Sequence, residues 1–152
     1  EQAAKNGDPN AVKFPRVHFE DNPYDFSFSG LKTAVINYVH NARQKNEPLK
    51  TEDIAASFTH AVCDVLAENA VKACKNFSDK LVVAGGVAAN SFLRRRLKED
   101  CDRAGITLFV PELKYCTDNA AMIAAQGYYE YLDGNIASED LNAYAEQSIE
   151  LP

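Results

Sequence analysis

Two glycines and an asparagine form the stretch of this sequence best suited to bind a nucleotide. Residues 81–84 are apolar, Gly85 and Gly86 end that run, and Asn90 opens a helical pattern. Glycines let a ligand approach the backbone closely, and the positive end of the following helix favours phosphate. Asn90 offers both a donor and an acceptor, as recognition of a base or ribose requires. An ordinary strand-to-helix turn with Asn90 as the N-cap fits these residues as well.

Asp118 is the second candidate, in the stretch that follows the next predicted strand. Because loops after parallel strands emerge at one edge of a sheet, we expect its loop to lie near the two glycines. Asp118 suits a metal ligand or a helix cap. One aspartate cannot hold a catalytic metal, which generally takes three protein ligands, and the three histidines of the chain form no HxxxH pair. If Asp118 binds a metal, the other ligands lie elsewhere.

The basic residues have less specific patterns. Lys32 stands near a helix start and could approach a phosphate, but a solvated lysine beside packed phenylalanines and a capping serine is the simpler expectation. The basic cluster consists of Arg94, Arg95, Arg96 and Lys98. Because Leu93 and Leu97 are predicted to face inward, we expect the arginines on a solvated face, with RNA contact as the alternative.

The elements that would position these residues alternate between helices and strands. The periodicity predicts helices over about 31–44, 51–75, 90–103 and 118–132, and strands over 25–29, 80–84 and 106–110. Ser29 and Thr51 are the predicted N-caps of the first two helices, and Gly105 is the predicted C-cap of the third. The 80–84 strand is apolar throughout, as is typical of a strand buried on both faces. This order predicts an α/β fold with parallel strands.

Length and composition set outer limits on the fold and the function. The 152 residues fit one domain over 1–134, with a loop-rich lead-in at 1–24 and a polar tail at 135–152. A net charge of −6 argues against a strong grip on a nucleic-acid backbone by this chain alone. The four cysteines lack zinc-knuckle spacing, which favours buried thiols in a reducing cytoplasm. No secretory signal or membrane-spanning run is present, and Met122 is the only methionine, which suggests an excised fragment.

Three stretches of the chain together resemble the C-terminal motifs of one family. They are Phe26-Ser-Phe-Ser-Gly-Leu-Lys-Thr33, Ala84-Gly-Gly-Val-Ala-Ala-Asn90 and Cys116-Thr-Asp-Asn-Ala-Ala-Met-Ile-Ala124. In this order and at compatible spacing, they resemble the tRNA threonylcarbamoyladenosine transferase family, formerly called O-sialoglycoprotein endopeptidases. The resemblance covers about residues 14–134.

The resemblance implies an actin/sugar-kinase-like ATPase fold with two RNase H-like lobes, of which this chain would be most of the second. It implies that Asn90, with Gly85 and Gly86, holds ATP or the threonylcarbamoyl-adenylate, and that Asp118 is a ligand of iron or zinc. The chain departs from the family in lacking the first lobe and its HxxxH motif. Accessory subunits of a threonylcarbamoyl transfer complex, a tRNA substrate and a cytoplasmic location follow from the same resemblance. The alternatives are a nucleotide-binding lobe of a sugar or acetate kinase and, in keeping with the older name, a metallo-endopeptidase.

Overall fold

The computed structural model describes residues 1–143, which fall into two units, residues 1–117 and a second unit that begins at Asp118. The first unit contains α1 (Ser29–Gln44), α2 (Thr51–Phe77), β1 (Lys80–Val82), α3 (Ser91–Ala104) and β2 (Thr107–Phe109). Helix α4 (Ala120–Leu132) lies in the second unit, and single 3-10 turns occupy Ala3–Asn6, Gly86–Ala89 and Leu113–Tyr115. The alternation of helix and strand that the sequence predicts from residue 51 onward is therefore confirmed.

Strands β1 and β2 pair in parallel, with Leu81 opposite Leu108 and Val82 opposite Phe109. Leu81 and Leu108 pack against the helices, whereas Val82 and Phe109 are 72% and 50% exposed. The prediction that residues 80–84 are buried on both faces is wrong for this unit. Helices α2 and α3 cover one face of the sheet, and the apolar side chains on the other face reach solvent.

The core of the first unit lies between α2, α3 and the inner face of the sheet. Helix α3 contributes Leu93, Leu97 and Cys101, which the sequence predicts at fourfold spacing, and all three are buried. Their partners on α2 are mostly small: Cys63, Ala67, Val71 and Cys74. Small side chains let the two helices approach closely, so the position of α3 relative to the strands is set by direct packing.

The lead-in at residues 1–24 is docked onto α2, although it is irregular as predicted. A Cβ added to Gly7 would lie 1.9 Å from the carbonyl oxygen of Glu52, so the backbone there touches the first turn of α2. The hydroxyl of Ser57 accepts from the backbone N–H of Val12 at 3.1 Å and donates to the carbonyl of Asp8 at 3.2 Å. These contacts make the lead-in part of the packed unit.

Several local predictions are wrong. Residues 25–28 form no strand; they run without regular structure into α1, and Phe26 and Phe28 stack on each other with ring centroids 6.4 Å apart. Ser29 and Thr51 are the first residues of α1 and α2 and do not cap them.

The second unit is described from Asp118 to residue 143. Asn119 is the N-cap of α4, and none of the helix residues is buried. The tail predicted over 135–152 lies partly outside the described residues, and the domain boundary at residue 134 stays a prediction. Among the described residues, no helix has the length and apolar character needed to cross a membrane.

Candidate functional site

The loop of residues 85–90, called here the glycine loop, leaves the sheet directly after β1. The N–H of Val83 still bonds to Phe109 at 2.9 Å, and Gly85 then turns the chain with φ 87°. This positive φ is the conformation that glycine adopts at little cost. A Cβ built on Gly85 or Gly86 meets no atom within 4 Å. Open space therefore surrounds the two residues where a ligand would approach the backbone.

Asn90 is the N-cap of α3, as one of the two sequence interpretations expects. Its Oδ1 accepts from the N–H of Leu93 at 3.0 Å, and the Sγ of Cys63 lies 4.0 Å from the same oxygen. Burial raises the pKa of the Cys63 thiol to about 11, so at neutral pH it carries the proton that it directs at Asn90. The amide nitrogen of Asn90 has no partner among residues 1–143 and remains available as a donor.

Arg94, one turn into α3, bonds to the glycine loop and to the segment after β2. Its Nε donates to the carbonyl of Ala88, and its Nη2 donates to the carbonyl of Pro111 at 2.6 Å and to Cys116 Sγ at 3.0 Å. The expectation that Arg94 lies on a solvated face is therefore wrong. The loops after β1 and β2 meet at one edge of the sheet, as the parallel arrangement predicts, at least as far as Cys116.

The other basic residues of α3 are engaged separately. Arg96 pairs with Asp64 and Glu68 of α2 and, at 2.8 Å, with Asp100. The expectation of a solvated side chain is therefore wrong for Arg96 as well, because its guanidinium pairs with carboxylates of α2. Arg95 is exposed and lies over the ring of Phe92, 5.3 Å from its centroid. Lys98 is exposed as well and pairs with Asp102 at 3.0 Å, so the expectation of a solvated face holds for Arg95 and Lys98.

A cavity of about 500 Å³ opens beside the glycine loop. Ala89, Ser91, Arg94 and Leu113 line it, and Glu1 closes one side. The carboxylate of Glu1 accepts from the hydroxyl of Ser91 at 2.6 Å and from its N–H at 3.2 Å, and these bonds lower the pKa of Glu1. The volume is in the range of small-molecule sites, and the cavity combines a helix N-terminus with the charge of Arg94.

Asp118 is exposed and does not cap α4. The cap is the neighbouring Asn119, whose side-chain oxygen accepts from the N–H of Met122 at 3.0 Å. The cap interpretation of Asp118 is therefore wrong, and no bond within its own described unit holds its carboxylate. Within residues 1–143, no group of three or more metal-ligating side chains is gathered in one place. The placement of Asp118 relative to Asn90 stays a prediction.

Lys32 is solvated, as the simpler interpretation expects. It borders an apolar groove of about 630 Å³ between α1 and α2, together with Phe28, Ile36 and Phe58. The four cysteines are all buried and free, also as expected.

His60 makes an aromatic contact that the sequence does not reveal. Its ring stacks on Phe92 of α3 with centroids 3.7 Å apart, and burial lowers its pKa. An aromatic contact between residues 32 positions apart leaves no local signal.

A strand that ends in glycines, a helix capped by asparagine and an adjoining cavity define a candidate nucleotide-binding α/β unit. Comparison with known proteins identifies its family. Residues 1–125 match the family model described as TsaD: tRNA N6-adenosine threonylcarbamoyltransferase, and the chain belongs to this family.

The chain is also similar to proteins named tRNA N6-adenosine threonylcarbamoyltransferase. One from Clostridium botulinum strain 657 is 48% identical over 144 residues, and one from Clostridium perfringens strain SM101 is 47% identical. Each match covers 94% of this chain and 42% of the relative. The chain thus spans less than half the length of these relatives.

Proposed function

We propose that the full-length protein carrying this chain transfers a threonylcarbamoyl group to tRNA. The exocyclic N6 amine of the adenine just 3′ of the anticodon attacks the carbamoyl carbon of threonylcarbamoyl-AMP. The new N–C bond forms, the C–O bond to AMP breaks, and the amine loses a proton. The observation that carries the proposal is the family match over residues 1–125.

Within that protein, this chain contributes most of the second lobe of an actin/sugar-kinase-like fold. The parallel pairing of β1 and β2, with α2 and α3 packed on one face, supports that assignment. The glycine loop receives the adenylate at the carboxyl edge of the strands, where open α/β sheets bind ligands. Gly85 and Gly86 admit it close to the backbone.

The cap geometry limits what Asn90 can offer the adenylate. Its oxygen is committed to Leu93, so the amide nitrogen is the group that meets the ligand. A donor selects acceptors, which the ribose hydroxyls and the phosphate supply.

Asp118 supplies one ligand of an iron or zinc ion whose other ligands lie outside residues 1–143. An exposed carboxylate with no bond inside its own unit suits this role. Because no group of three or more ligating side chains is gathered among residues 1–143, the proposal assigns the remaining ligands to other parts of the protein. A metal bound there supplies Lewis-acid chemistry to the substrate's oxygens. Asp118 itself would contribute one negatively charged oxygen ligand.

The substrate and the partners follow from the same proposal. The tRNA is held mainly by surfaces outside this chain, because the chain has a net charge of −6 and its Arg96 is paired with carboxylates. Accessory subunits of a threonylcarbamoyl transfer complex assist the enzyme, and a tRNA substrate places it in the cytoplasm.

A reconstituted reaction tests the proposal. The full-length protein, its accessory subunits, threonylcarbamoyl-AMP and unmodified tRNA should yield threonylcarbamoyladenosine, detected by mass spectrometry of digested tRNA. If the protein instead phosphorylates a sugar or acetate with ATP, the proposed transferase is wrong and the protein is a kinase. If it cleaves a glycoprotein, it is a peptidase.

A further inference from the structure

Arg94 joins three segments at the carboxyl edge of the sheet with one side chain. Ala88 belongs to the glycine loop, Pro111 follows β2, and Cys116 ends the next turn. The glycine loop and the segment from Pro111 to Cys116 are separate stretches of the chain, and Cys116 lies 22 positions beyond Arg94 in the sequence. They come from different strands, so backbone connectivity alone does not fix the distance between them.

The chemistry of these contacts requires arginine. The guanidinium is planar and presents its donors in a fixed fork, so Nε and Nη2 can bond to acceptors that lie in different directions. Lysine offers one compact ammonium and cannot span the same three acceptors. Two of those acceptors are carbonyls and the third is a thiol, so no carboxylate neutralises Arg94 through these bonds.

We propose that Arg94 is a positioning residue that sets the distance between the glycine loop and the turn at Cys116, and thereby the shape in which the loop receives its adenylate. The inference rests on the proposed function. By fixing the Ala88 carbonyl, Arg94 restrains the middle of the loop between Gly86 and the cap at Asn90. The guanidinium also borders the 500 Å³ cavity, which the carboxylate of Glu1 lines as well.

Arg96 provides a matched control two residues farther along the same helix. It is half-buried like Arg94, but its partners are Asp64, Glu68 and Asp100. None of them belongs to the glycine loop or to the turn at Cys116. Replacing Arg96 disturbs the packing of α3 on α2 without touching either loop.

Hydrogen exchange and ATP binding test the inference in the full-length protein. In Arg94→Lys, peptides covering residues 85–90 and 112–117 should exchange about tenfold faster, because exchange follows the free energy of local opening. ATP, used as the probe, should bind about tenfold more weakly by calorimetry, the size of effect expected for one charge-assisted bond. Arg96→Lys should lower Tm while leaving both measurements unchanged. Cys116→Ala, which removes one of the three contacts, should give a smaller effect in the same direction.

Two results would overturn the positioning role. One is unchanged exchange in both peptides of Arg94→Lys. The other is an affinity loss that follows Tm equally in the Arg94 and Arg96 variants, since that is the behaviour of a purely structural residue. If the wild-type protein fails to bind ATP or to modify tRNA, the proposed function fails, and the exchange measurement still decides whether Arg94 holds the two loops.

Discussion

Under the proposed function, the two ends of the Asn90 side chain have separate roles. The oxygen caps α3 through Leu93, while the nitrogen is left for a ligand. Aspartate at this position keeps a capping oxygen and loses the amide donor. Alanine loses both, so the two substitutions separate the two roles.

We predict that Asn90→Asp in the full-length protein retains stability but binds ATP at least tenfold more weakly, because a carboxylate repels the phosphates. Asn90→Ala should lose only the affinity that the amide donor contributes and in addition about 1 kcal/mol of stability, the usual value of an N-cap. Chemical denaturation and calorimetry check both. Full affinity in Asn90→Asp would show that the residue only caps the helix.

The two glycines of the loop should respond differently to alanine. Gly85 adopts φ 87°, where a Cβ is strained by roughly 1–2 kcal/mol, whereas Gly86 has no such constraint and open space around it. Gly86→Ala should therefore fold with unchanged Tm yet bind ATP more weakly, because the methyl group occupies the ligand's approach. Gly85→Ala should lower Tm. Wild-type affinity in Gly86→Ala would place the ligand away from this backbone.

Asp118 and Asn119 allow a metal ligand to be distinguished from a cap at adjacent positions. Since Asn119 caps α4, Asn119→Ala should cost about 1 kcal/mol of stability. Asp118→Ala should leave stability nearly unchanged but lower the transfer rate about a thousandfold, equivalent to ~4 kcal/mol in the barrier. Rates and the metal content of the purified variants provide the measurements. Near-normal transfer and full metal content in Asp118→Ala would remove Asp118 from the metal site.

At the scale of elements, the contact between α2 and α3 should make stability depend on pH through His60. Burial lowers the pKa of His60 in the folded state, so the unfolded chain takes up this proton more readily. The folded state is therefore favoured above the unfolded pKa of about 6.5 and loses stability as pH falls below it. His60→Phe keeps an aromatic contact with Phe92 and should reduce the fall in Tm between pH 7 and pH 5. An unchanged fall in the variant would assign the pH dependence to other groups.

Helix α3 shows what can be predicted from sequence at this scale. Its predicted start at Asn90 and its stop at Gly105 lie within one residue of the observed helix, because both ends are set by local chemistry. Asn90 bonds to a backbone group three residues away, and Gly105 adopts the left-handed conformation that closes a helix. The glycine loop was predictable for the same reason.

The predictions that are wrong concern features that depend on residues far away in the sequence. The alternation at residues 25–29 is typical of a strand, but a strand also needs a hydrogen-bonded neighbour, and the described sheet contains only β1 and β2. Arg94 and Arg96 look alike in sequence, yet one bonds to loop carbonyls and the other to carboxylates of α2. Those partners lie between 6 and 32 positions away, beyond the third and fourth neighbours that helical periodicity relates.

At the scale of the whole molecule, the isolated 152-residue chain should be inactive. Among residues 1–143 no group of three or more metal-ligating side chains is gathered in one place, and the chain carries exposed apolar side chains at Val82, Phe109 and along α4. We expect the isolated chain neither to transfer a group to tRNA nor to bind Zn²⁺ or Fe²⁺ tightly. Because of the exposed apolar side chains, we also expect it to self-associate at high concentration. Activity assays, calorimetry and light scattering measure the three. A stoichiometric high-affinity metal site in the isolated chain would contradict the shared-site proposal.

The contact of Gly7 with α2 has a consequence for protein engineering. The enzyme could be made in two pieces by dividing the gene and letting the halves complement each other. The cut then has to fall in a segment that is not packed against the rest of the fold. The irregular stretch before α1 looks suitable in sequence, but its backbone is seated against Glu52, and Ser57 anchors it again at Val12. The connection between α1 and α2 is exposed at residues 45–48. Because the N–H groups of residues 45–47 bond back to the last turn of α1, a cut after residue 47 leaves both helices whole. Complementation should therefore tolerate a break there and fail with a break near residue 10.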